Sequence, residues 1–591
     1  MTSPGRLDLV LAWHMHQPDY RDHASGEFML PWVYLHAIKD YTDMAWHLEH
    51  HPGMRAVVNW VPVLLDQLED YADQFASGKL RDPLLRLLAR DDGTALTEGE
   101  RALVLDQCLR ADNSRMIEPY PAYRHMHGLF RTLEAQGGQA LRYLSDHFFY
   151  DVLIWYHLAW TGETVRRESE VVSRLMAIGQ HFEQHHRHEL FRLIGDLVGA
   201  VVGRYARLAE AGRIELSTTP HYHPLAPLLL DFHSAREAEP NALLPEALNY
   251  PGGRERVTAQ MQSALASHAR RFGAAPRGVW PAEGSVSRDL VGVLSGNGLA
   301  WAASSEQVLA NSLGAAHRGV PRSHYLYRPY RLESAPELAL FFRDDRLSDR
   351  IGFEYRKWHG SDAAANLIGE LESIAAGAGK GERPLVSVIL DGENAWEHYP
   401  YNAYYFLSAL YKALESHPSI RPTTFDAFLL ACASANKDGA AVHDGAVPKD
   451  GAAVGPPPAA MHRLERLVAG SWVYGNFSTW IGSNDKNHAW DLLCAAKQSF
   501  DLVKASGRLG TERLAAAERQ LADCEGSDWF WWFGDYNPGA SVASFDRLYR
   551  AKLANLYRLI ELPAPAALAE PISHGHGDPE GGGSMRRAGA A

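Results

Sequence analysis

Cysteine is scarce in this 591-residue chain: Cys108, Cys432, Cys494 and Cys524 stand far apart, with no CxxC spacing. That excludes a disulfide framework or a cysteine zinc site and predicts reduced thiols. Long apolar runs are missing too. None approaches the ~20 residues of a membrane span. The opening "MTSPGRLDLVLAWHMHQ" interrupts its short apolar run at Asp8, unlike a secretory signal. A cytoplasmic chain without a membrane partner is expected. There is no basic excess either. Lys and Arg number 58 against 71 Asp and Glu, a net charge of −13, which argues against nucleic-acid binding and suits a neutral ligand. The remaining balance, 46% hydrophobic and 22% charged, is that of a globular protein long enough for more than one core-sized unit.

What is present is a repeated pattern: a short apolar run, then polar or aromatic groups, then a helical stretch. "LDLVLAW" (7–13) leads into His14, His16 and Gln17. "RAVVNWVP" (55–62), "GRIELSTTPHYHP" (212–224), "GVWPAEGSV" (278–286), "GLAWAASSEQ" (298–307) and "PLVSVILDGENAW" (384–396) follow. Buried parallel strands read as continuous apolar runs, and six such units predict an α/β fold, a distorted β/α barrel with helical insertions over 1–434. Residues 435–461, rich in Gly, Ala, Pro and Asp, read as a linker. A helical C-terminal region is expected over 462–562 and a disordered tail over 563–591.

In such barrels reactive groups sit where strands end. His14, His16, Glu215, Glu283 and Asp391 are all expected there. Taken singly, Glu283 could be a first-turn carboxylate favoured by the helix dipole, with Ser285 or Ser287 capping the next helix. Two carboxyl groups at separate strand ends suggest more, because glycosidic cleavage uses one ionised and one protonated carboxyl group across the bond. Asp391 is favoured over Glu393 because it directly ends the apolar run. The "HMH" and "HYH" pairs (His14/His16 and His221/His223) could bind a metal if each lay on one strand face. No further ligand set accompanies them, so the histidines are expected to hydrogen-bond instead, with no metal or cofactor. "QHHRHE" (184–189) reads as a solvated helix face. Trp529, Trp531 and Trp532 could pack in a core or stack on sugar rings.

Five segments carry a resemblance: "HMHQP" (14–18), "GRIELSTTPHYHPLAPLL" (212–229), "GVWPAEGSVS" (278–287), "VILDGENAWEHYP" (388–400) and "WIGSNDKNHAWDLL" (480–493). In this order they are similar to the five signature regions of glycoside hydrolase family 57, which the chain resembles over roughly residues 7–560. "GSDWFWWFGD" (526–535) resembles a segment of its amylopullulanase-related members. The resemblance implies a retaining enzyme acting on α-glucans or maltooligosaccharides, at α-1,4 linkages with α-1,6 linkages as a further candidate, on a seven-stranded β/α barrel with a helical C-terminal region. It implies Glu283 as nucleophile and Asp391 as general acid/base, with His16, Glu215, His223 and Trp490 near the substrate. His14, Trp280, Glu393, Trp396 and Trp529 complete the expected substrate contacts. Gly284 departs from the family pattern, where a larger residue is common, and should change pocket shape. A 4-α-glucanotransferase or branching enzyme would use the same residues. A noncatalytic glucan-binding protein and a metallohydrolase are the remaining alternatives.

Overall fold

The structure, a computed structural model, describes residues 6–109, 113–136, 139–317, 319–378, 383–441 and 461–577. Its strands are β1 (Leu7–Met15), β2 (Ala56–Trp60), β3 (Ile214–Thr218), β4 (Gly278–Val279), β5 (Trp301–Ser305), β6 (Tyr330–Leu332), β7 (Ala335–Arg343), β8 (Leu385–Asp391), β9 (Ile420–Pro422) and β10 (His462–Arg463). Seven of them run parallel in the order β7-β5-β4-β3-β2-β1-β8, a curled sheet forming a distorted (β/α)7 barrel. The two ends of the sheet are tied where the Asp344 amide donates to the Ser387 carbonyl (2.7 Å) and the Arg343 guanidinium to the Ile389 carbonyl (3.0 Å). Every residue of β1 and β8 is buried, which explains their unbroken apolar runs.

Inside the barrel Val10, Ala12, Val57, Trp301, Phe341 and Ile389 pack together. Phe425 and Phe428, from the helix Phe425–Ala441, join this core beside β9, which pairs with the start of β1. The Trp301 indole lies across Gly278, where a Cβ would sit 1.7 Å from the ring. Only glycine allows that approach.

β7 is absent from the six sequence-read runs because an antiparallel hairpin with β6, not a crossover helix, precedes it. Beyond β10 the chain is irregular until the helices Asn484–Ala505, Thr511–Cys524, Asp528–Trp532 and Gly539–Leu559. This region is stitched to two barrel loops by the bridges Val286–Gly470 and Pro224–Gly526, and by a 2.6 Å ion pair between Arg256 and Glu525.

Two expected boundaries are corrected. The helix Phe425–Ala441 continues past residue 434, and the remainder of the expected linker, 442–460, lies outside the described residues. The expected disordered tail is packed as far as Gly577: Ile572 N donates to Asp546 (2.7 Å), Ser573 Oγ to Asp485 (2.7 Å) and Gly577 N to the Asn537 carbonyl (3.0 Å). Leu568 and Ile572, the two large apolar side chains of this Ala- and Pro-rich stretch, are buried there. Residues 578–591 lie outside the described residues. Among the described residues no helix is long and apolar enough to cross a membrane.

Candidate active site

Strand register assembles the site. His14 on β1 pairs with Asn59 on β2 and with Asp391, the last residue of β8. Glu283 follows β4 in the short turn Ala282–Gly284, with Ser287 capping the next helix through Leu290 N (3.2 Å). Both carboxylates are buried, 8% and 7% exposed, and both face one cavity of about 290 Å³. His14, His16, His223 and Glu393 line it. Trp472, Asp528, Trp531 and Trp532 line it too, all supplied from beyond residue 461.

Glu283 Oε2 accepts from Trp472 Nε1 (3.0 Å), and Oε1 lies 3.2 Å from Ser527 Oγ. Asp391 Oδ2 accepts from Asn394 Nδ2 (3.0 Å). Burial, with Asp528 and Asp391 adding like charge, pushes Glu283 up to about 8. Burial pushes Asp391 up to about 6, opposed by the Asn394 amide and by His16. With Glu283 held above neutrality and Asp391 below it, the two carboxyl groups hold about one proton between them at neutral pH. One acid beside one carboxylate is the state that glycosidic chemistry needs. Glu393 Oε1 accepts from His16 N (3.0 Å), Gln17 Nε2 (3.3 Å) and Tyr41 OH (3.4 Å), fixing the loop after β1. Burial and the Asp391 charge hold Glu393 well above the usual carboxylate range.

The histidines form a stack and a chain. His16 and His223 rings lie 3.7 Å apart, His14 Nε2 is 3.1 Å from His223 Nε2, and His16 Nε2 meets Asp528 at 2.9 Å. Burial lowers His14 to about 3 and His223 well below the usual imidazole range, so both are neutral at rest. His16, His223 and Asp528 bring potential ligand atoms within 4.8 Å of one another, yet they do not fit a metal. Both His223 nitrogens are engaged, by Ser527 and His14, and parallel rings do not aim their in-plane lone pairs at one point. The second HxH pair also separates. Residues 219–223 turn rather than continue β3, and His221 faces Asp66 (2.9 Å) away from the cavity.

Several expected contacts are corrected. Glu215 is the second residue of β3, not its end, and accepts from Trp301 Nε1 (2.6 Å) and Asp426 N (3.0 Å). Burial raises it to about 7. A carboxyl group raised in the folded state loses stabilisation as pH climbs from its unfolded value toward that folded value. Glu215→Gln should therefore leave kcat within about twofold, while its thermal deficit against wild type shrinks by about 2 °C between pH 5 and pH 8. Parallel melts and assays check this.

Four tryptophans expected at the substrate pack instead. Trp280 stands edge-on to Trp472 (5.4 Å), Trp396 edge-on to Trp13 (5.6 Å), Trp490 stacks on Phe530 (4.1 Å), and Trp529 on Tyr549 (5.8 Å). All four are at most 2% exposed. Gly284 acts on this packing rather than on the cavity: its φ is +59°, and an added Cβ would sit 2.7 Å from the Trp280 ring.

Glu283 and His223 adopt left-handed backbone conformations, φ 58° and 56°, which cost non-glycine residues about 1–3 kcal/mol each. Strain of that kind persists only where surrounding structure over-determines it, and here the Trp472 amide holds the Glu283 carbonyl (3.0 Å) while the Ser527 amide holds that of His223 (2.9 Å).

Two solved structures share this fold. A GH57 branching enzyme from Thermococcus kodakaraensis superposes with a TM-score of 0.54 at 16% identity, over 94% of this chain and 90% of that chain. A GH57-type branching enzyme from Pyrococcus horikoshii gives 0.53 at 16% identity, over 97% and 99%. No curated protein matches the sequence. The sequence model described as glycosyl hydrolase family 57 matches residues 10–429, a span holding both cavity carboxylates, Glu283 and Asp391. The chain belongs to glycosyl hydrolase family 57.

Proposed function

We propose that the protein is a retaining α-glucan hydrolase of amylase or amylopullulanase type, working in the cytoplasm on α-1,4-linked chains, with α-1,6 linkages as the further candidate, by double displacement. Glu283 attacks the anomeric carbon while Asp391 protonates the glycosidic oxygen. Asp391 then serves as base for the water that releases the glycosyl-enzyme. The observation that carries this reading is the pair of buried carboxyl groups, from β4 and β8, facing one cavity. Their donor sets suit the roles. Trp472 and Ser527 can both donate to an ionised Glu283, whereas one Asp391 oxygen is left outside the Asn394 contact to carry a proton. Glu393 is tied to the β1 loop and orients its neighbours.

A second reading is 4-α-glucan transfer or branching with the same residues. Trp531 and Trp532 in the same cavity favour it, because aromatic side chains can hold an acceptor sugar and displace water. Incubation with maltoheptaose, amylose and pullulan, followed by chromatography, separates the readings. Shorter products alone establish hydrolysis, longer ones transfer, and new branch points branching. Unchanged glucans would remove the enzymatic reading.

A further inference from the structure

Resting on the assignment of Glu283 as nucleophile, we infer that Ser527 and His223 form a proton relay that ionises Glu283 from within the site. Hydrogen-bond accounting carries this, starting from an atom that can only accept. The Thr218 carbonyl takes a hydrogen bond from Asn59 Nδ2 (2.7 Å), so Asn59 Oδ1 faces His14 Nδ1 at 2.7 Å. His14 Nδ1 therefore carries the hydrogen, and its Nε2 is bare. Across 3.1 Å, His223 Nε2 must donate to it. A neutral His223 then has a bare Nδ1, which must accept from Ser527 Oγ at 2.9 Å.

Ser527 has one proton and two claimants, because its Oγ also lies 3.2 Å from Glu283 Oε1. When the hydroxyl donates to His223, Glu283 must bring its own proton to the serine oxygen. When the hydroxyl donates to Glu283, His223 must be an imidazolium donating to the serine. The two states differ by one shift. The Glu283 O–H bond breaks as a new Oγ–H bond forms, and the original Oγ–H proton moves to His223 Nδ1. Carboxylate and imidazolium result, and the proton count of the relay is unchanged; the proton that Asp391 gives to a glucan leaving group is a separate one taken up from solvent, and a fluoride leaving group does not need it. Every group is hydrogen-bonded in both states.

Two further observations support the relay. The residues at its ends, Glu283 and His223, share a left-handed backbone conformation, and each lies within hydrogen-bond distance of Ser527 Oγ. The serine is fixed between them by its own amide bond to the His223 carbonyl (2.9 Å) and by the Pro224–Gly526 bridge. The groups facing the relay balance an imidazolium: Asp528 is bonded to His16, whose ring stacks on His223, and Asp391 stands across the cavity, with neutral His14 behind. Direct transfer is excluded by the 4.0 Å between His223 Nδ1 and Glu283 Oε1.

The test is the rate of covalent labelling by a fluorinated glycosyl fluoride, whose leaving group needs no acid, followed across pH. Wild-type labelling should stay nearly flat through neutrality, because the reactive state forms without losing a proton to solvent. Ser527→Ala must ionise Glu283 through solvent, so labelling should be about tenfold slower near pH 6 and converge with wild type near pH 9. Ser527→Thr should restore the flat profile. His223→Gln should copy Ser527→Ala, and the double variant should add nothing further. A Ser527→Ala profile that follows wild type overturns the relay, whereas label on a residue other than Glu283 overturns the assignment beneath it. Independently of any variant's folding, ¹⁵N-histidine spectra of the wild-type protein should show His14 protonated on Nδ1 and His223 on Nε2. The opposite tautomer at His223 also overturns the relay.

Discussion

Glu283→Gln is expected to lower kcat on glucans by on the order of 10⁴-fold or more while leaving glucan binding within a few fold, as for loss of a nucleophile. The amide is nearly isosteric. Its oxygen can still accept from Trp472 Nε1, and its nitrogen can turn toward Ser527, so the cavity keeps its shape. What is lost is the anionic oxygen that attacks carbon. Peptide mapping of wild-type protein trapped with a fluorinated donor should place the sugar on Glu283, and calorimetry on the Gln variant should show maltooligosaccharide binding near the wild-type value. Label elsewhere, or near-wild-type turnover in the variant, removes Glu283 from the role.

The second large effect separates Asp391 from Glu393. Asp391→Ala should lose about 10²–10⁴-fold on natural glucans and much less on donors whose leaving group is a weak base. With the base for the second step also missing, the glycosyl-enzyme should accumulate on those donors, and azide should rescue turnover with an α-glycosyl azide as product. Glu393→Ala acts differently, since it removes the acceptor for His16 N, Gln17 and Tyr41 and loosens the loop after β1. Both donor classes should slow about equally there, without rescue. Leaving-group dependence confined to Glu393→Ala would reverse the two roles.

The sequence carried the barrel because fully buried parallel strands leave apolar runs that end in polar groups and are followed by helical stretches. β7 escaped by arriving through a hairpin. Glu283 and Asp391 were legible for a related reason: each is an acid placed directly behind such a run. Glu215 was misplaced by the same rule, since a carboxylate near the start of a five-residue strand reads much like one at its end. Trp280, Trp396, Trp490 and Trp529 show the limit of composition, because indole serves equally in a core and on a sugar. Trp472 and Ser527 were beyond reach. They meet Glu283 from 189 and 244 positions away, and no local pattern announces a contact of that span.

That span matters while the chain is being made. At about 5–20 residues per second, the barrel segments leave the ribosome several seconds before Ser527 and Asp528 do. Until Ser527 and the helix Asp528–Trp532 settle against the His223 turn, Glu283 lacks its serine and the cavity lacks Asp528, Trp531 and Trp532. A nascent barrel therefore holds both carboxylates but not the surroundings that set their protons, and a segment translated well after the barrel strands is the one that arms it.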